Sequence, residues 1–159
     1  MQIIKDREIV DDNWLRLDDD AELAAGNITV SLARWQEQHE TLTHHEGGLG
    51  LRLTGDDPLE EIVPDLAHFS LIVLNFPAFT DGRCYSFARL LRDRYSFKGE
   101  IRAQGDVLYD QLYYMSQCGI NSFELDNPNR LTNAIKAFDD FSESYQTTAL
   151  RPEPLYRRR

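Results

Sequence analysis

From residue 28 onward the chain alternates strand-like and helix-period segments, and this alternation constrains its fold more than any other feature. Residues 28–34 set Ile28, Val30 and Leu32 against Thr29 and Ser31, the period of a strand. Residues 36–46 are polar and helical and stop at Gly47-Gly48. Leu49, Leu51 and Leu53 mark a second strand. Asp57-Pro58 then opens a helix, with Asp57 as its N-cap and Pro58 at the first helical position. Its apolar stripe is Leu59, Ile62, Val63 and Leu66, and Pro64 inside the stripe kinks or shortens it. Residues 70–76 are the most hydrophobic stretch, typical of a strand covered on both faces. The next helix spans residues 82–95, with Cys84, Phe87, Ala88, Leu91 and Tyr95 on one face. Residues 100–104 form a short strand, and Gly105-Asp106 leads into a helix with Leu108, Leu112 and Met115 inward, capped at Gly119. A fifth strand covers residues 120–125. Asn127-Pro128 caps a last helix with the stripe Leu131, Ala134, Ile135, Phe138, Phe141 and Tyr145.

Five strands joined by helices give a single α/β domain with a parallel sheet flanked by helices, because a helical crossover returns the chain to a parallel neighbour. A doubly wound, flavodoxin-like strand order is the first expectation and a partial barrel the second. Both put functional loops at the carboxyl ends of the strands. Before the alternation, Ile3-Ile4 and Ile9-Val10 flank the polar Lys5-Asp6-Arg7-Glu8 and predict a β-hairpin. The expected organisation is an N-terminal hairpin extension (1–17), an α/β domain (18–146) and a C-terminal tail (147–159) ending in three arginines. A chain of 159 residues fits one such domain.

Charge narrows the partners. The chain carries 27 acids against 17 Lys and Arg, a formal net charge of −10. Residues 1–70 hold a net −11 and residues 71–110 a net +1, so the acid is concentrated early and the middle is slightly basic. A globally acidic chain argues against nucleic acid and against an anionic membrane. The longest apolar run is four residues, Leu71 to Leu74, far short of a bilayer span, and no signal-peptide pattern precedes it. A cytoplasmic protein is therefore expected. Cys84 and Cys118 form no CxxC pair and cannot make a disulfide framework. His39, His44, His45 and His68 lack metal-ligand spacing, so no metal is expected, and no cofactor motif is evident.

The strand ends carry the candidate chemistry. The third is followed by Asp81-Gly82-Arg83, where Asp81 can cap the helix and Gly82 lets backbone approach a ligand. Arg83 then lies in a first helical turn, where the helix dipole disfavours a cation, so a carboxylate or a bound anion must compensate. The fourth strand carries Arg102, Gly105 and Asp106, followed by Asp110 and Gln111. The fifth offers Glu124. A cluster of Arg83, Arg102, Asp106, Gln111 and Glu124 would bind an anionic or polar group. The same residue types commonly serve as caps and ion pairs.

Two stretches resemble a specific bacterial family, domain of unknown function 934, often labelled an oxidoreductase of sulfite reduction. They are Phe76 to Arg94, with the pattern FPxFxDGRxYSxARxLR, and Gly99 to Gly119, with GExRAxGDVLxDQ. The resemblance implies an accessory role in assimilatory sulfite reduction, and so in sulfur assimilation and cysteine biosynthesis, beside a sulfite reductase haemoprotein. It carries over Asp81, Gly82, Arg83, Tyr85, Ser86, Arg89, Arg102, Gly105, Asp106, Asp110 and Gln111 as site residues. The oxidoreductase label comes with no catalytic or redox motif in the residues themselves. Three readings follow: a docking or electron-delivery partner of the haemoprotein, a small enzyme or binding protein using Arg83 and Arg102 for an anionic metabolite or nucleotide, and a homodimer built through the hairpin.

Overall fold

The computed structural model describes residues 2–76, 83–105, 107, 109–125 and 127–138. Asp81, Gly82, Asp106, Leu108, Phe141, Tyr145 and the tail 147–159 lie outside the described residues.

The hairpin forms as expected. Strands β1 (Gln2–Lys5) and β2 (Glu8–Asp11) pair antiparallel with Ile3 opposite Val10 and Ile4 opposite Ile9. Asp6 and Arg7 have φ of 52° and 68°, the two left-handed residues that a two-residue hairpin turn needs to match strand twist. The later strands are β3 (Leu15–Arg16), β4 (Ile28–Ser31), β5 (Leu49–Leu53), β6 (Leu71–Phe76), β7 (Glu100–Gly105) and β8 (Ser122–Phe123). The helices are α1 (Leu32–Thr43), α2 (Leu59–Ile62), α3 (Arg83–Arg89), α4 (Leu112–Gln117) and α5 (residues 131–138).

Among the described residues the eight strands form one sheet in the order β2-β1-β8-β7-β6-β5-β4-β3. Strands β3 to β8 run parallel, while β1 is antiparallel to both β2 and β8. This corrects the expected five-stranded parallel, flavodoxin-like sheet. The sheet is mixed, and its parallel strands follow one another in chain order, so the reversal that defines a doubly wound sheet is missing. The extra parallel strand is Leu15–Arg16, too short and too charged to show a period, which pairs Leu15 with Ile28 and Arg16 with Thr29.

Sequential right-handed crossovers place successive helices on one face of such a sheet. The side chains that alternate toward that face include Ile28, Val30, Leu51, Leu53, Ile72, Leu74, Phe76, Ile101, Ala103 and Phe123, and they join Trp35, Leu42, Ile62, Leu91 and Met115 in one buried core. The residues between them point to the other face. There Ile3, Leu71 and Val73 are buried beside Thr29, Glu100, Arg102 and Ser122. The second face is closed by curl. Strands β2 and β3 lie at opposite edges of the sheet, yet only residues 12–14 connect them. A flat sheet of eight strands spaced about 4.8 Å apart would separate those edges by roughly 34 Å. The link from residue 11 to residue 15 spans at most about 14 Å when extended. The sheet therefore rolls until its edges approach, and its polar face becomes an interior.

Local sequence chemistry moves several boundaries. Helix α1 begins at Leu32, inside the segment expected as strand, because Ser31 adopts a capping conformation and its Oγ accepts the Arg34 N–H at 3.1 Å. Pro58 itself occupies the cap position of α2, and Asp57 instead accepts the Thr54 N–H at 2.8 Å. Pro64 shortens α2 as expected, and the chain continues as a 3-10 helix, Val63–His68. Helix α3 runs on as a π-turn, Leu90–Arg94. Gly119, with φ of 110°, follows the end of α4 in the left-handed position expected of a helix stop. No described helix is long and apolar enough to cross a membrane.

A polar cleft at the carboxyl ends of the strands

The carboxyl ends of the parallel strands open into a cleft of about 550 Å³. Strand alternation decides its lining. Ser31 of β4 and Arg52 of β5 are register partners, as are Asn75 of β6 and Gln104 of β7, and all four face the interior side of the sheet. Arg16 ends β3, the segment after it supplies Asp18 and Asp19, and the β5–α2 loop supplies Thr54 and Asp57.

Arg52 dominates the electrostatics of this cleft. Its guanidinium donates to the Thr29 carbonyl at 2.6 Å, the Thr29 hydroxyl at 2.9 Å and the Leu17 carbonyl at 2.8 Å. These partners are all neutral, and among the described residues no carboxylate reaches Arg52 at ion-pair distance. Burial, followed by repulsion from Arg16, lowers its pKa, while Asp19 and Asp18 act in the opposite direction. Arg34 performs a related task from α1. It is buried, and it donates to the Asp18 and Ala21 carbonyls at 2.6 and 2.5 Å and to Gln38 at 3.1 Å. Two arginines therefore fasten the acidic segment through its backbone and leave its carboxylates exposed at the cleft mouth. Asp19 accepts the Ser31 hydroxyl at 2.5 Å.

A second charged group lies deeper. Arg102 is 3% exposed and contacts Glu100 at 3.0 Å, Asp12 at 3.2 Å and Glu124 at 3.7 Å. Its Nε also donates to the Ser122 hydroxyl at 3.1 Å. Lys5 of β1 reaches Glu100 at 3.4 Å. Burial pushes the Glu100 carboxyl up, but the Ser122 hydroxyl, Arg102 and Lys5 outweigh it and hold the group below the usual carboxylate range. Asp12 belongs to the short link between the sheet edges, so this network ties that link to the centre of the barrel-like interior. A cleft of about 540 Å³ at the opposite end of the strands, lined by Lys5, Trp14, Lys98 and Asn121 among others, also reaches Glu100 and Arg102.

The residues expected to converge fall into three places. Arg102 and Glu124 meet in the interior, where Arg102 is held by the chain's own carboxylates and Glu124 also accepts from Gln104 at 3.1 Å. Arg83 lies at the rim, where the compensating carboxylate is Asp56 of the β5–α2 loop. Both partners of that pair are solvent-exposed. Tyr85, Arg89 and Gln111 meet on the helical side. The Tyr85 hydroxyl donates to Gln111 Oε1 at 2.9 Å, and its ring packs on Phe76 and Tyr114, each 5.1 Å away between centroids. Burial, with Cys118, Tyr114 and Asp110 nearby, pushes the Tyr85 phenol up to about 12. Arg89 is tied to Tyr114 and Cys118, while Ser86 and Asp110 are exposed. Gly105 ends β7 with φ of 100°, and a Cβ there would come within 2.5 Å of the Phe76 carbonyl.

Sequence reasoning missed Arg52, Arg16, Asn75 and Gln104. One signal was available: a charged residue such as Arg52 within a strand of a parallel sheet is unusual, because such strands are ordinarily buried on both faces. Among the described residues no group of three or more His, Cys, Asp or Glu is arranged to hold a metal ion. Cys84 and Cys118 are buried free thiols, and burial pushes the Cys118 thiol up.

In comparison with known families, the model of a bacterial protein of unknown function, DUF934, matches residues 50–156. No curated protein matches the chain.

Proposed function

The chain belongs to the DUF934 family, and from that premise we propose that it is an accessory protein of assimilatory sulfite reduction that binds a small anionic metabolite in the cleft at the carboxyl ends of its strands. The observation that carries the binding reading is Arg52. A partly buried guanidinium, repelled by Arg16 and bonded among the described residues to neutral oxygens, is stabilised by an incoming anion. The first residues of α1, Leu32 and Ala33, line the same cleft, and the first backbone N–H groups of a helix lack partners within it. The pathway assignment rests on the resemblance of the 76–94 and 99–119 segments to proteins that accompany a sulfite reductase haemoprotein. The setting proposed is the cytoplasm.

Isothermal titration with sulfite and sulfate tests the binding, using the wild type, Arg16→Gln and Arg52→Gln. The expected result is saturable binding by the wild type, weakened at least tenfold in each variant. A wild type that binds neither anion, nor any anionic metabolite in a thermal-shift screen, overturns the binding reading. Growth of a deletion strain tests the pathway: rescue by cysteine but not by sulfite supports sulfite reduction, and normal growth on sulfate removes it.

A second reading, docking onto the haemoprotein, is favoured by the exposed acidic segment Asp18 to Asp20 beside the cleft. Reversing those three charges should abolish co-purification with the haemoprotein, since charge complementarity steers such encounters. Unchanged recovery would remove this surface from consideration.

A further inference from the structure

The cleft is not simply positive. Arg16 and Arg52 share its lining with Asp18, Asp19 and Asp57. A ligand carrying negative charge alone satisfies the two guanidiniums but enters the field of Asp18 and Asp19, the carboxylates that already act on Arg52. A ligand carrying positive charge alone meets Arg16 and Arg52. A ligand without charge offers neither set an opposite charge. Only a ligand with both signs close together matches the lining.

Resting on the anion-binding reading above, we propose that this cleft takes an amphoteric ligand, an α-amino acid in its zwitterionic form. Its carboxylate faces Arg16 and Arg52, and its ammonium faces the carboxylates of Asp18, Asp19 and Asp57. The carboxylates have capacity left for that contact. Asp19 uses one oxygen to accept from Ser31, and Asp57 uses one to accept from the Thr54 N–H. An ionised carboxyl offers about four acceptor positions, so each can also accept from an ammonium. The inner wall sets the side-chain preference. Asn75 and Gln104 sit side by side across β6 and β7, and an amide both donates and accepts. The cleft thus favours a short polar side chain over an apolar one. Its volume of about 550 Å³ accommodates the whole amino acid with water around it.

Equilibrium binding to the full chain tests the proposal with four probes: free serine, N-acetylserine without an ammonium, serine methyl ester without a carboxylate, and inorganic sulfate. Serine is expected to bind, and each blocked derivative to bind at least tenfold more weakly. Asp19→Asn is expected to weaken serine while strengthening sulfate, because it removes a charge that attracts the ammonium and repels the anion. Arg16→Gln is expected to weaken both, and because Arg16 is exposed it spares the packed interior. Circular dichroism of each variant verifies folding. N-acetylserine binding as tightly as serine overturns the amphoteric ligand. Sulfate binding with no measurable serine binding also overturns it and leaves the anion-binding reading standing. Absence of binding by every probe overturns the amphoteric ligand, and the sulfite titration and the anion screen above then decide the anion-binding reading.

Discussion

Arg102 and its carboxylates show what a buried ionic group demands of its neighbours. Replacing Arg102 by Met leaves Asp12 without its cation and Glu100 with Lys5 alone, a change that costs about 3–5 kcal/mol when one partner of a buried pair is removed. Urea unfolding measures this, and a loss below about 1 kcal/mol would show that the network is solvated. Glu100 also sets an acid limit. Its pKa in the folded chain is depressed, so its contribution is present above the ordinary carboxylate range and is lost as pH falls through the folded value. Tyr85 sets the opposite limit. Its folded pKa is raised to about 12, so its contribution is complete below about pH 10 and is lost as pH rises through 12. An ultraviolet difference titration of Tyr85→Phe should lack the latest-ionising phenol, and an unchanged titration would place that phenol elsewhere. Gly105→Ala should destabilise by about 1–3 kcal/mol, since φ of 100° is unfavourable for alanine and the new Cβ meets the Phe76 carbonyl and Asn75. A thermal melt measures that loss. Of these residues, sequence reading found Arg102, Gly105 and Tyr85, and it named Glu124 and Gln111, which Arg102 and Tyr85 meet, but not Glu100 or Asp12, the nearer carboxylates of Arg102. Arg102 and Glu100 are two apart in one strand and so share a face. Asp12 is 90 positions away, and only the curl of the sheet brings it close.

Elements with a long period were legible, and short ones were not. The Ile28, Leu49, Leu71 and Ile101 strands have runs or alternations that reveal them, and all pair in the parallel sheet. Strand β3 has two residues, one of them an arginine, and it exists because β4 offers it an edge. Strand β8 keeps only Ser122–Phe123 of the six residues expected, although the flanking Asn121 and Glu124 N–H groups still donate to the Ile101 and Ala103 carbonyls of β7. The strand order was illegible for a physical reason: crossover helices of similar length permit either direction of addition, and the choice depends on contacts between distant segments. The start of α1 depended on one hydroxyl. Ser31→Ala should cost about 1 kcal/mol by leaving the Arg34 N–H without its acceptor, and it also frees Asp19 from the Ser31 contact. Chemical denaturation compares the two proteins, and equal stability would show that Asp19 or water replaces the cap.

The hairpin is integral to the sheet rather than appended to it. Strand β1 hydrogen-bonds to β8 through Ile4 opposite Phe123 and Lys5 opposite Ser122, and Ile3 and Ile4 are buried. Removing residues 1–17 takes away three of the eight strands and exposes the edge of β8, so loss of cooperative unfolding is expected, beyond any change in assembly. Near-ultraviolet circular dichroism and sedimentation separate the outcomes, and a truncated chain that stays folded but changes only its oligomeric state would restore the hairpin as an assembly device. The same pairing has a consequence for synthesis. Strand β1 is made well before its partner β8, which begins at Ser122. At about 5–20 residues per second, the ribosome needs roughly 6–24 s to supply it. Throughout that interval two adjacent isoleucines and an open backbone edge must be kept from other nascent chains, so the delay between β1 and β8 is a window for misassembly.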